Sequence, residues 1–133
     1  MTRLAIDPAT LLEIASGSRP VNPHHQLVAP NSIRSEALNL LLARVRAGEL
    51  AEEVALRLLE RLTEVKMRLL GDRVSRRTAW EIARERGWAT VNLAEYLAVA
   101  RLQADALVAS DPELAAMATG LVALAPLSSL FAD

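Results

Sequence analysis

The fold is decided by residues 4–16, which read LAIDPATLLEIAS. Residues 4–6 form a short apolar run that Asp7 and Pro8 end, as is typical of a buried strand. Residues 9–16 then carry apolar side chains at helical spacing. A buried strand followed directly by a helix is the first part of a strand–helix–strand unit, and it predicts a parallel sheet.

The same alternation continues along the chain. Further strands are predicted at residues 26–29, 88–91, 106–109 and 121–125. Further helices are predicted from a cap at Asn31 or Ser32 to Gly48, from Glu49 to a stop at Gly71, from Ser75 to Arg86, from Leu93 to Leu102 and from Pro112 to Ala118. This order predicts one domain over residues 1–133, an α/β fold of three α/β/α layers around a central parallel sheet of about five short strands.

Composition narrows the class of protein. The 133 residues are 52% hydrophobic, and 15 basic side chains face 16 acidic ones, so the chain is neither disordered nor generally attractive to polyanions. Cysteine is absent, which excludes a disulfide scaffold and thiolate metal sites. The sequence has neither a signal-peptide pattern nor an apolar run of spanning length. We therefore expect a soluble cytoplasmic protein with no membrane partner.

Three acids are predicted to meet at one edge of the sheet. Asp7 follows the first strand, Asp111 follows the strand at residues 106–109, and Glu36 lies one turn into the helix after the second strand. Carboxyl ends of parallel strands gather ligands, and clustered carboxylates favour a hard cation such as Mg²⁺ or Mn²⁺. Such an ion can activate water for attack on a phosphodiester. The alternative is that Asp7 and Asp111 only cap the helices that follow them.

A basic cluster offers a candidate contact for nucleic acid. Arg73, Arg76 and Arg77 lie together at a predicted helix start, where positive charge opposes the helix dipole. Contacts with RNA phosphates or with a partner's carboxylates would explain them, and a solvated helical face is the alternative. Trp80 and Trp88 are expected in the core or half-buried, with base stacking as the alternative.

Four stretches together carry a resemblance to a known family. They are LAIDPATLLEIA at 4–15, LVAPNSIRSEALNLL at 27–41, LGDRVSRRTAWEIARERGWATVNLAEYLAVARLQADALVASDPELA at 70–115 and LVALAP at 121–126. In this order and spacing they resemble the PIN domain, the fold of VapC-type toxin ribonucleases, over nearly the full length. The resemblance implies a metal-dependent endoribonuclease that binds Mg²⁺ or Mn²⁺. Its catalytic and metal-binding acids would be Asp7, Glu36 and Asp111.

The chain departs from that family at three positions. Leu93 stands where a further acid normally begins the Asp-Ala-Glu-Tyr-Leu-Ala stretch, and Ala9 and Ala109 replace frequent hydroxyl residues. Asn92 and Glu95 are candidate auxiliary residues. Asn92 offers an amide oxygen without charge, and Glu95 should face nearly away from position 93 because two helical residues subtend roughly 200°. We therefore expect one metal ion and a weakened site.

The resemblance also implies partners, and two rival functions stay open. Toxin relatives are covered by an antitoxin protein and are often homodimers. The leucine-rich residues 38–45 and 54–69 are candidates for such an interface, and the alternative is that they only form core. The first rival is a catalytically inert PIN-like module for binding or regulation, which the three departures favour. The second is a doubly wound domain that binds a small molecule.

Overall fold

The computed structural model describes residues 1–131. Its strands are β1 (Thr2–Ile6), β2 (His25–Pro30), β3 (Arg68–Leu70) and β4 (Ala106–Val108). Its helices are α1 (Pro8–Ser16), α2 (Ile33–Arg46), α3 (Glu52–Glu64), α4 (Arg73–Arg86), α5 (Asn92–Gln103) and α6 (Pro112–Ala118), followed by a 3₁₀ helix at Leu127–Leu130. No helix within this part of the chain is both long and apolar enough to cross a membrane.

The four strands form one parallel sheet in the order β3-β2-β1-β4. β1 lies in the interior of the sheet, where Leu4 pairs with Leu27 of β2 on one side and with Ala106 of β4 on the other. Because all strands run in the same direction, their carboxyl ends meet at one edge. The residues that follow β1 and β4 are therefore neighbours, although about one hundred positions separate them in sequence.

Helices cover both faces of the sheet, which confirms the α/β/α architecture. α5 packs on β1, β2 and β4 and also against α4, whereas α1 packs against α2 and α3. α5 is buried on most of its surface, including Ala94, Leu97, Ala98 and Ala100. Small alanine side chains allow this helix to lie close to the sheet and fix the positions of its remaining side chains.

The predicted helix from Glu49 to Gly71 is wrong beyond Glu64. α3 ends there because Val65 takes an extended conformation, and Arg68–Leu70 becomes the edge strand β3, paired with β2. Val65 and Leu69 are four residues apart, so their spacing fits a helix. The open edge of β2 decides the outcome, because its backbone groups find partners in β3.

The predicted strand at residues 88–91 is not formed. Gly87 adopts a left-handed conformation with φ of 71°, and the Trp88 N–H donates to the Ala83 carbonyl at 2.9 Å. These features close α4 with a hydrogen-bonding pattern typical of helices that end in glycine. The chain then turns directly into α5, so residues 88–91 form the connection between the two helices and not a strand.

The predicted last strand at residues 121–125 is reduced to a single bridge. Leu124 pairs in parallel with Leu107 of β4, and the Leu107 N–H donates to the Ala123 carbonyl at 2.8 Å. The Ala125 N–H donates in return to the Leu107 carbonyl at 3.0 Å. The sequence predicts a sheet of about five strands. The observed sheet has four strands, and a single bridge at Leu124 stands in place of the fifth.

Candidate functional site

Asp7 lies at the carboxyl end of β1 and is fully buried. Its Oδ1 accepts hydrogen bonds from the N–H groups of Thr10 at 2.8 Å and Ser110 at 3.3 Å, and its Oδ2 accepts one from Asp111 at 2.9 Å. Asp7 is therefore the N-cap of α1, and it also ties the end of β1 to the segment after β4. Capping and convergence, which the sequence left as alternatives, both occur here.

Hydroxyl groups extend this connection between the two strand ends. The Thr10 hydroxyl donates to the Val108 carbonyl at 2.9 Å and lies 2.7 Å from the Ser110 hydroxyl. Because the single proton of Thr10 is used on Val108, Ser110 donates to Thr10. This network holds the two segments in a fixed relation and so fixes where Asp7 and the next acid lie.

Asp111 caps α6, since its Oδ1 accepts a hydrogen bond from the Glu113 N–H at 3.1 Å. Asp7, Glu36 and Asp111 line one cleft of about 480 Å³, together with Asn92 and Tyr96. We call it the acidic cleft. All three acids predicted from the sequence thus face the same space at the carboxyl edge of the sheet.

Glu36 is held by a residue that sequence reasoning did not select. The hydroxyl of Tyr96, a buried residue of α5, donates to Glu36 Oε2. Burial raises the pKa of the Glu36 carboxyl above its usual 4.5, the Tyr96 hydrogen bond partly lowers it, and the charge of Glu95 raises it further. Burial and the neighbouring Glu36 carboxylate raise the pKa of Tyr96, so its hydroxyl stays protonated and remains a donor.

The helix α5 presents Leu93 and Asn92 to the acidic cleft. Leu93 is half-buried and also packs against the core, and Glu13 lines the same cleft as a fourth acid. Glu95 lines the neighbouring cleft instead, beside Glu36. Ala9 lines the acidic cleft as well, whereas Ala109 packs on the core.

The acidic cleft is lined by carboxylates, whose oxygens hard divalent cations prefer, and also by the cation Arg44. Its acids offer only carboxylate oxygens, and the three acids make no ion pair within residues 1–131. The Asp7 carboxylate has about four acceptor positions, of which three are used by N–H groups. Over the same residues, however, no three His, Cys, Asp or Glu side chains are gathered into a group that could hold a metal.

The three arginines of α4 do not share one role. Arg76 lines the neighbouring cleft with Glu36 and Glu95, whereas Arg77 forms an exposed ion pair with Glu81 at 3.2 Å. Arg73 is exposed at the start of the helix. Asp72 caps this helix by accepting the Ser75 N–H at 2.9 Å, and the hydrogen bonds from Ser75 lower its pKa. This carboxylate offsets part of the unfavourable charge at the helix start.

The two tryptophans also differ in exposure. Trp88 is half-buried and packs on the core, as expected. Trp80 is 63% exposed, so the expectation that it belongs to the core or is half-buried is wrong. An indole ring that is left largely in water contributes little to the stability of the fold.

Sequence reasoning missed Tyr96, Thr10 and Arg44. Tyr96 is the only tyrosine of the chain, and its position on a helix buried on most sides was the available signal. Thr10 lies three residues after Asp7, which is the spacing of a helix cap. Arg44 lies two turns after Glu36 on α2 and brings a cation to the wall of the acidic cleft.

Comparison with known proteins gives one point of reference. No family model matches the chain, and no curated protein matches it. Among solved structures, the crystal structure of PAE2754 from Pyrobaculum aerophilum is similar, with 24% sequence identity and a TM-score of 0.69. The match covers 97% of this chain and 93% of that one. This likeness establishes the fold.

Proposed function

We propose that this protein is a PIN-like, metal-dependent endoribonuclease of the VapC toxin type, with a weakened acidic site. One observation carries the proposal. Asp7 and Asp111 come from adjacent strand ends, are joined by a hydrogen bond, and line one cleft with Glu36. Although Arg44 also lines the cleft, the three acids form no ion pair within residues 1–131, and clustered carboxylates are a typical arrangement for binding a divalent cation.

Each acid has a distinct part in this reaction. Bound Mg²⁺ or Mn²⁺ would supply a Lewis acid and lower the pKa of water. Asp7, Asp111 and Glu36 would hold it, with Asp7 kept in place by its three N–H donors. Glu36, held by the Tyr96 hydroxyl, would accept the proton that water loses as it attacks the phosphorus of RNA, and would pass it to the oxygen that leaves when the P–O ester bond breaks.

The partners belong to the same proposal. RNA is the substrate, an antitoxin protein would cover the acidic cleft, and the protein would act in the cytoplasm. A homodimer is supported by apolar side chains left in water on two neighbouring helices, because Leu42 of α2 is 50% exposed and Leu56 of α3 is 54% exposed. Apolar side chains exposed on two helices that pack against each other are candidates for contact with a partner.

A second candidate function is an inert PIN-like module for binding or regulation. Leu93 brings an apolar side chain into the acidic cleft at the position where the PIN family normally has an acid. The lack of a gathered three-acid group in residues 1–131 points the same way. This module would bind RNA or a protein without cleaving a phosphodiester.

The two functions are separated by a cleavage assay on structured RNAs. We expect cleavage with Mg²⁺ or Mn²⁺, and none after addition of a chelator. Loss of a residue that only hydrogen-bonds to a metal ligand typically costs roughly 10- to 100-fold in activity. Asp111→Asn removes a proposed ligand itself, so it should reduce the cleavage rate by more than this. Asp105→Asn is the matched control, because Asp105 binds the Arg3 N–H at 2.8 Å at the opposite end of the sheet.

Two outcomes would contradict the ribonuclease. Cleavage that survives the chelator or the Asp111→Asn change would not come from this site. RNA binding without any cleavage at saturating Mn²⁺ would favour the inert module.

A further inference from the structure

One stripe along α4 combines charge with an exposed aromatic ring. Arg76, Trp80 and Arg84 follow one another at intervals of four residues, so they lie on the same face over about 12 Å. Trp80, in the middle, is 63% exposed. We call these three residues the α4 stripe.

The arginines of the α4 stripe are available for a ligand. Within residues 1–131 the ion pair of this helix is Arg77–Glu81, and neither Arg76 nor Arg84 pairs with a carboxylate. Both side chains are exposed. Two unpaired guanidinium groups on either side of an indole ring suit a chain that alternates negative charges with flat rings.

The α4 stripe continues into the acidic cleft through Asn92. The cleft lined by Arg76 and Trp80, which we call the Arg76 cleft, shares Asn92 and Glu36 with the acidic cleft. A further cleft, the Trp88 cleft, is lined by Trp80, Arg84, Trp88 and Asn92 and contains no acid. Asn92 thus belongs to all three clefts, and Trp80 lines both the Arg76 cleft and the Trp88 cleft.

We propose that the α4 stripe and the Trp88 cleft bind unpaired nucleotides of an RNA strand that runs on into the acidic cleft. This inference rests on the proposed function, because the acidic cleft is taken as the place of cleavage. A base stacks on Trp80, and the phosphates on either side meet Arg76 and Arg84. Stacking needs a base face that is free, so the ligand is single-stranded RNA.

Charge makes the Trp88 cleft the more favourable of the two for a phosphate. Glu36 and Glu95 also line the Arg76 cleft, so the phosphate that meets Arg76 stays at the exposed mouth of this cleft and its interior is left to a base edge. A carboxylate accepts hydrogen bonds from the amino group of a base, and cytosine offers such a group. Arg84 meets no such competition, since the Trp88 cleft has no acidic lining.

The test is binding of a fluorescently labelled single-stranded RNA of about ten nucleotides, measured by anisotropy in the presence of a chelator. Trp80→Ala should weaken binding by roughly five- to hundredfold, which is the range for loss of one stacked base. Trp80→Phe should keep most of the affinity. Leu102→Ala, which removes an exposed apolar side chain near the end of α5, should leave it unchanged.

Salt dependence tests the two arginines. Arg76→Ala and Arg84→Ala should each weaken binding and lower the slope of log affinity against log salt by about one. Arg57→Ala, on the exposed surface of α3, should leave the slope unchanged.

Three outcomes would overturn the inference: equal affinity of Trp80→Ala and the wild type, equal affinity for a duplex RNA of the same length, or no binding of single-stranded RNA at all. The first would show that the exposed ring has no part in RNA binding. The chelator keeps this test apart from cleavage. Trp80-dependent binding without cleavage supports the inference and counts against the ribonuclease. Cleavage at a rate that Trp80→Ala does not change supports the ribonuclease and counts against the inference.

Discussion

Asp7 is a buried carboxylate whose charge is balanced by backbone N–H groups and not by a cationic side chain. Repulsion among the acids alone would make Asp7→Asn stabilising. We expect the variant to be less stable, because the NH₂ group of the Asn amide is a donor and would face at least one of the three N–H donors that the Asp7 carboxylate now accepts. We expect this variant to lose about 1–3 kcal/mol of unfolding free energy, measured by urea denaturation.

The matched control for Asp7 is Asp105. Its exposed carboxylate accepts one N–H, that of Arg3 at 2.8 Å, at the other end of the sheet. Asp105→Asn should therefore cost clearly less than Asp7→Asn. A more stable Asp7→Asn protein would show that repulsion outweighs the hydrogen bonds.

Leu93 decides how complete the acidic cleft is. Leu93→Asp should add a carboxylate to the cleft wall, tighten Mn²⁺ binding and raise the rate of RNA cleavage. Leu93→Asn introduces a side chain with the shape of Asp but without its charge, so it should neither tighten Mn²⁺ binding nor raise the cleavage rate. If both variants only lower the unfolding free energy, the packing of Leu93 on the core is its whole role.

The acids could be predicted from the sequence because each follows a strand or opens a helix, and parallel strands bring such positions to one edge. Tyr96 and Trp80 could not. Whether a lone aromatic side chain points at a carboxylate or into water depends on which face of its helix meets the sheet. Packing across the whole domain determines which face meets the sheet, and the local spacing of residues carries no information about it.

At the scale of elements, the hydrogen bond from Tyr96 to Glu36 joins α5 to α2 across the cleft. The raised pKa of Glu36 gives this contact a pH dependence. The folded protein holds this proton more tightly than the unfolded chain does. The contribution of Glu36 therefore favours folding below about pH 4.5 and is lost as the pH rises through the folded pKa.

We therefore expect the difference in unfolding free energy between the wild type and Glu36→Gln to change with pH. Gln imitates the protonated carboxyl, so the wild type should lose stability relative to the variant as the pH rises. Urea titrations of both proteins from about pH 4.5 to about pH 7.5 measure this difference. A difference that is constant with pH, or that favours the wild type as pH rises, would contradict the raised pKa.

Local sequence patterns do not predict every boundary between helices and strands. α1, α2 and α4 could be predicted from apolar spacing, although the predicted helix at Ser75 begins two residues after the observed start of α4 at Arg73, which Asp72 caps. The switch from α3 to β3 could not, since Val65 and Leu69 fit a helix equally well. The open edge of β2, a long-range partner, determines that residues 68–70 form a strand.

At the scale of the whole molecule, strand order creates the candidate site. The sequence places Asp7 and Asp111 at one position only if β1 and β4 are neighbours, and the pairing of Ile6 with Val108 provides this. Glu36 reaches the same cleft because α2 starts after β2, on the other side of β1. A different order of the same strands would separate the acids without altering any local pattern.

The central claim, that these acids bind a divalent cation, is tested most directly by thermal unfolding with and without Mn²⁺. A ligand that binds the folded state alone adds about 2.7 kcal/mol at one hundred times its Kd, which raises the Tm by several degrees in a domain of this size. We expect this rise in the wild type and in Asp105→Asn, and its loss in Asp111→Asn. An unchanged Tm of the wild type at millimolar Mn²⁺, or an equal rise in Asp111→Asn, would contradict the claim.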